Sequence, residues 1–137
     1  MQNMTVDDII DGMIKITLNA QSLADEAELL LNNKYFARSY TLAHIAREEI
    51  SKLYMLFRIG IEVIAGKRYD YKKLQKRLNS HNSKIQFFSL PIDIHSEKGE
   101  FVKIVNKRKN SSLYVGWEDN KFQSPSEAIS EYIAKRT

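Results

Sequence analysis

The stretch from Val6 to Ala65 carries helical periodicity broken at a single place, the pair Asn32-Asn33. A connection that short forces two helices to fold back on each other as an antiparallel hairpin, and the rest of the chain has to be built around that hairpin. The first helix is expected from about Val6 to Leu31. Thr5 with Asp8 three residues on makes a capping-box start, and Asp7 and Asp8 sit in the favoured first turn. Val6, Ile9, Ile10, Met13, Ile16, Ala20, Leu23, Ala27 and Leu30 recur at helical spacing. Ala20, Ala24 and Ala27 would let a neighbouring helix come close. Asn tolerates the left-handed conformation that ends helices, which makes Asn32-Asn33 the stop.

The second helix is expected from about Lys34 to Ala65, ended by Gly66. Its apolar arc spans roughly 200°, wide enough to touch two or more neighbours. Asp70 can cap a third helix from about Tyr71 to Phe88, with Leu74, Leu78, His81, Ile85 and Phe88 as its stripe and Pro91 as its end. Ser89 to Gly99 reads as a loop and 100–109 as a short amphipathic helix. The run 111–117, with Leu113, Tyr114, Val115 and Trp117, is β-branched and aromatic and reads as extended. Ser124-Pro125-Ser126-Glu127 combines a Ser cap, a Pro at the first position and a capping-box Glu. It opens a last helix through about Lys135, with Ala128, Ile129, Tyr132 and Ile133 inward. The expectation is an all-α single domain over 1–137: a helical bundle of four main helices, a short extra helix, and an extended segment near 111–117.

Composition excludes several function classes. With no cysteine there is no disulfide, no thiolate metal site and no cysteine nucleophile, which suits the cytoplasm. No signal-peptide pattern opens the chain, and no run of about 18 apolar residues could span a membrane. The three histidines form no His-x-x-x-His or Glu-x-x-His pair, so neither metal nor cofactor is expected. There is no Gly-rich phosphate loop and no Gly-x-Ser-x-Gly elbow. Charge is unevenly spread. Residues 1–33 carry one Lys and six acids, whereas residues 67–110 carry twelve Lys or Arg and four acids. That basic segment, with Lys72, Lys73, Lys76, Arg77, Lys103 and Lys107, is a candidate nucleic-acid surface, or else a solvated face that balances the acidic first helix.

On a helical wheel, Glu49 falls among Ser39, Leu42, Ala46, Ile50, Leu53 and Phe57, the greasy face of the second helix, while Glu48 falls on the polar side with His44, Arg47, Ser51 and Met55. A carboxylate at the centre of an apolar face needs a cation or donor to meet it. Lys52 is one turn away, and His81, Lys84, Arg108 and Tyr114 are the candidates elsewhere. A polar cluster of Glu48, Glu49, Lys52, His81, Lys84, Arg108 and Tyr114 follows, either a structural ion-pair network or a site. In the site version His81, Lys84 and Arg108 act, with Glu49 orienting them.

These motifs resemble the AbiV family of bacterial abortive-infection proteins. The resemblance rests on Ala43 through Glu48-Glu49-Ile50-Ser51-Lys52, on His81-Asn-Ser-Lys84, and on Arg108 followed by Leu113-Tyr114-Val115. The family pattern continues with an acidic residue where this chain has Gly116. The AbiV family is similar to the HEPN superfamily of small helical bundles, many of which are metal-independent RNases acting as dimers with an Arg-x(4–6)-His motif. Arg38 and His44 fit that spacing and are a second choice of catalytic pair; Arg77 and His81 are one residue too close. The resemblance implies a phage-defence effector that arrests the infected cell's growth or translation, a homodimer, RNA as a partner and a phage-encoded activator. The alternative is a non-catalytic helical module that works by association with a phage or host protein.

Overall fold

The computed structural model describes residues 4–80 and 98–137. It is all-α apart from one hairpin: α1 Val6–Asn32, α2 Phe36–Ile64, α3 Tyr71–Asn79, α4 Lys98–Ser111, β1 Gly116–Glu118, β2 Lys121–Gln123, α5 Pro125–Ala128 and α6 Glu131–Lys135. The Thr5–Asp8 capping box is formed at the start of α1. Both long helices end in Schellman motifs. After α2, Gly66 takes φ 70°, and the amides of Gly66 and Lys67 donate to the carbonyls of Val63 and Glu62. After α1 the equivalent left-handed residue is Lys34 (φ 64°), not an Asn; its amide and that of Tyr35 donate to Leu31 and Leu30. Asn33 instead closes the helix end with its own side chain, donating to the Leu29 carbonyl.

The α1–α2 hairpin is the body of the fold. Ala20 and Ala27 are buried in its seam, where Ser39 Oγ donates to the Ala27 carbonyl at 2.8 Å; Ala24 faces solvent. Gly12 lies so close to Leu56 that an added Cβ would sit 3.3 Å from its Cδ1. Ile9, Leu56, Ile59 and Leu74 form one core, which holds α3 against the hairpin. Tyr40, Ile129 and Ala134 form a second, which seats α5 and α6 on the start of α2. At the end of α4, the fully buried Ser112 shares a 2.7 Å hydroxyl hydrogen bond with buried Thr41 of α2.

Two expectations are corrected. The last helix is two: Ser130 caps α6 after a break at Ile129, whose side chain is the buried anchor, while Tyr132 is exposed. The extended segment begins at Gly116, since α4 and its closing turn take up the preceding residues. It continues as a hairpin, with Trp117 opposite Phe122, their rings edge-to-face at 4.8 Å, and Asp119 and Asn120 both at positive φ. That is the chemistry of a primed two-residue turn. Residues 81–88 of the expected third helix, and most of the following loop, lie outside the described residues. Among the described residues no helix is long and apolar enough to cross a membrane.

Candidate active site

The buried carboxylate of α2 is Glu48, not Glu49. Glu48 is 4 % exposed and lies with His44, Ser51 and Met55 on a face that the bundle covers. Glu49 is half-buried on another side, in an ion pair with Lys52. The wheel misled because it ranks faces by greasiness. Much of α2's greasy arc is left to solvent, with Phe57 59 % exposed, while the polar face is buried because α4 brings it partners.

Those partners are specific. Glu48 Oε1 accepts from Lys109 Nζ at 3.1 Å and lies 3.2 Å from His44 Nε2. Lys109 is itself buried. A carboxylate only accepts, so Nε2 carries the ring hydrogen and Nδ1 is left as the basic nitrogen. His44 and Glu48 are one turn apart on α2, which fixes the imidazole from below. The Tyr40 ring stacks on it at 6.3 Å, 14° from parallel.

Tyr40, His44 and Glu48 form one wall of a cavity of about 380 Å³, within the range of small-ligand sites, while Lys109 stays behind that wall. From α2 it is lined by Tyr40, His44, Arg47 and Glu48; from α4 by Phe101, Val105 and Arg108; and from the C-terminal segment by Tyr132, Ile133, Arg136 and Thr137. Burial pushes the Tyr40 hydroxyl above its ordinary range, partly offset by the charges of Arg108 and Arg47. Burial also lowers the Arg47 guanidinium, without bringing an arginine near neutrality at physiological pH. Arg47 donates to the backbone oxygen of Thr137, tying the C-terminal segment to α2. An oriented imidazole beside several guanidinium groups can move a proton next to an anion that those groups hold. Among the described residues no group of three or more His, Cys, Asp and Glu could hold a metal ion.

Of the sequence candidates, Glu48, Arg108 and His44 line this cavity. Arg38 does not: it is exposed and reaches the Leu113 carbonyl at 3.5 Å. Tyr114 is 66 % exposed, and Glu49 and Lys52 are paired with each other, so none of the three belongs to the Glu48 cluster. His81 and Lys84 lie outside the described residues. Lys72, Lys73, Lys76 and Lys103 are exposed and Arg77 is half-buried, while Lys107 pairs with Glu118 at 3.1 Å. Sequence reasoning missed Tyr40, Arg47, Lys109 and Arg136. The available signal was spacing: Tyr40, His44, Arg47, Glu48 and Ser51 repeat every three or four residues on one face.

No curated protein and no solved structure matches this chain. A family model does, HEPN_AbiV (AbiV), over residues 8–137. With a match over nearly its whole length and the helical bundle described above, the chain belongs to the AbiV family of HEPN proteins, whose role is abortive infection in phage defence.

Proposed function

We propose that this chain is an abortive-infection effector that cleaves RNA without a metal ion, using the cavity between α2, α4 and α6. The observation that carries the reading is one cavity lined both by an imidazole oriented through a buried carboxylate and by Arg47, Arg108 and Arg136. Arginine forks match phosphate oxygens, and an imidazole held by a carboxylate at one of its nitrogens suits general acid–base work. His44 takes the proton of a ribose 2′-hydroxyl as the oxygen attacks the adjacent phosphorus. The guanidinium groups hold the charge that develops on the phosphate oxygens. The bond to the 5′-oxygen breaks, and the imidazolium returns the proton to that leaving group. A 2′,3′-cyclic phosphate and a free 5′-hydroxyl result, with no net proton taken up. The exposed Lys72, Lys73, Lys76 and Lys103 contribute backbone attraction outside the cavity, and a phage-encoded protein is the activator.

A second reading is a non-catalytic module that works by association. It is favoured by the exposed Tyr114, Val115, Trp117 and Phe122 around the hairpin, an aromatic surface suited to a protein partner. One assay separates the two. Purified protein is incubated with ribosomal RNA in EDTA, alone and with phage lysate. The ribonuclease reading expects cleavage, reduced about 10²–10⁴-fold by His44→Ala, and strongly reduced by Arg108→Ala. RNA left intact by the wild-type chain under both conditions refutes it.

A further inference from the structure

Tyr40 does more in the cavity than its ring requires. The residue is 6 % exposed and belongs to the core that seats α5 and α6 on α2, together with Ile129 and Ala134. The same ring stacks on the His44 imidazole. A phenylalanine would fill both roles. The hydroxyl is what needs an account, because taking it out of water costs free energy unless a partner meets it. Two cations act on it, and both line the cavity. The Arg108 guanidinium of α4 donates to the phenol oxygen, and the charge of Arg47, two turns further along α2, bears on it as well. A guanidinium has donors only, so neither arginine can take the phenol's own proton. That proton is left for an acceptor in the cavity, and burial keeps the phenol protonated by raising it above its ordinary range.

We infer that the Tyr40 hydroxyl is a phosphate-binding donor of this cavity, giving its hydrogen bond to an anion that Arg47 and Arg108 also hold. The spread of the donors selects the anion. A planar carboxylate is filled by one guanidinium fork. A tetrahedral phosphate turns its oxygens in several directions and can accept from donors on different elements, here Tyr40 and Arg47 on α2, Arg108 on α4 and Arg136 at the end of α6. The bond from Arg108 restricts where the phenol proton can point and polarises it. A donor set before the substrate arrives needs no reorganisation as charge builds on the phosphate oxygens. The stacked ring ties that donor to the imidazole, so one side chain fixes the phosphate relative to the group that moves the proton. The phenol keeps its proton throughout, and the proton path through His44 is unchanged. The catalytic consequence rests on the ribonuclease reading, whereas the phosphate contact rests on the cavity alone.

Tyr40→Phe in the whole chain tests this, since it deletes the hydroxyl and keeps the ring in the core and on His44. Helical circular dichroism and the urea midpoint should match the wild type. Calorimetric titration with uridine 3′-monophosphate, and with uridine as the phosphate-free control, reads the contact without any cleavage. The wild type is expected to bind the monophosphate, and Tyr40→Phe to bind it about 10-fold more weakly, the scale of one hydrogen bond to a charged group. The response to uridine should not change. On RNA in EDTA the variant's kcat/KM should fall about 10²-fold, as when one donor to a developing oxyanion is removed. A Tyr40→Phe chain that binds the monophosphate as tightly as the wild type overturns the inference, whatever cleavage shows. So does a wild type that does not bind it, or a loss of affinity shared equally by uridine, which marks a repacked cavity. A phosphate-specific defect in the variant, beside RNA left intact by the wild type, refutes the ribonuclease reading and upholds the phosphate contact.

Discussion

Removing Lys109 should strand the Glu48 carboxylate. The two charges are 3.1 Å apart and both nearly fully buried, 10 % and 4 % exposed at the side chain. At an effective dielectric of ~20 their attraction is about 5 kcal/mol, which offsets much of the cost of taking both out of water. Lys109→Met keeps the aliphatic stem and deletes the ammonium. Glu48 keeps its contact with His44 but loses a full positive charge, and the expected destabilisation is about 3–4 kcal/mol, near the range for breaking one side of a buried pair. For a chain of this size that corresponds to a fall of roughly 10–15 °C in Tm. The double variant Glu48→Leu, Lys109→Met removes both charges and should recover most of the loss, because a buried ion pair is often no more stabilising than apolar residues of similar volume. The assay is urea unfolding of the four members of the cycle. A Lys109→Met cost below about 1 kcal/mol, or a double variant no more stable than the single, would refute the claim that the lysine holds a buried carboxylate.

Three further outcomes follow from local structure. Lys34 sits in the left-handed region at the α1–α2 connection, so Lys34→Gly should raise stability by about 0.5–1 kcal/mol, read as a shift in urea midpoint with unchanged slope. Ile59 is 2 % exposed in the core shared by α1, α2 and α3, and Ile59→Ala should cost about 2–5 kcal/mol by the same measurement. Asp8 and Glu127 are held below the ordinary carboxylate range by hydrogen bonds from Thr5 and Ser124, and Glu131 by Lys135. Their folded values are depressed, so they bind fewer protons folded than unfolded. The stability they contribute is present above the ordinary carboxylate value of about 4 and is lost as pH falls through the folded values, which an acid titration followed by circular dichroism should show.

The hairpin and its caps were legible because they are local. Thr5 to Asp8, Asp70, Gly66 and Ser124 to Glu127 each act within a few residues of themselves, and each is found where the pattern places it. The primed turn at Asp119-Asn120 is equally local, and the strand after it, Lys121–Gln123, is too short to carry a pattern of its own. The site was less legible because burial is decided by what arrives from elsewhere. No property of α2 alone says that Lys109 and Ser112, far along the chain, will cover the His44–Glu48 face while Phe57 and Ile61 stay in solvent. A polar face is buried when its partners are complementary, and complementarity is a property of two segments.

For the same reason α2 carries three kinds of surface. One strip is small where α1 approaches, at Ser39 and Ala46; one is polar where α4 and α6 enclose the cavity; and one is large and apolar yet exposed. A helix that served only as a core would not keep both a buried ion pair and a solvated row of Ile, Tyr and Phe. The ion pair costs desolvation that apolar residues would avoid, and the exposed row risks aggregation. Each is stable to selection only if it does something a plain core cannot. For the Glu48 face that is holding an imidazole in one orientation beside arginines. If Glu48→Leu, Lys109→Met proves as stable as the wild type yet loses phage protection, the buried charges serve the site rather than the fold.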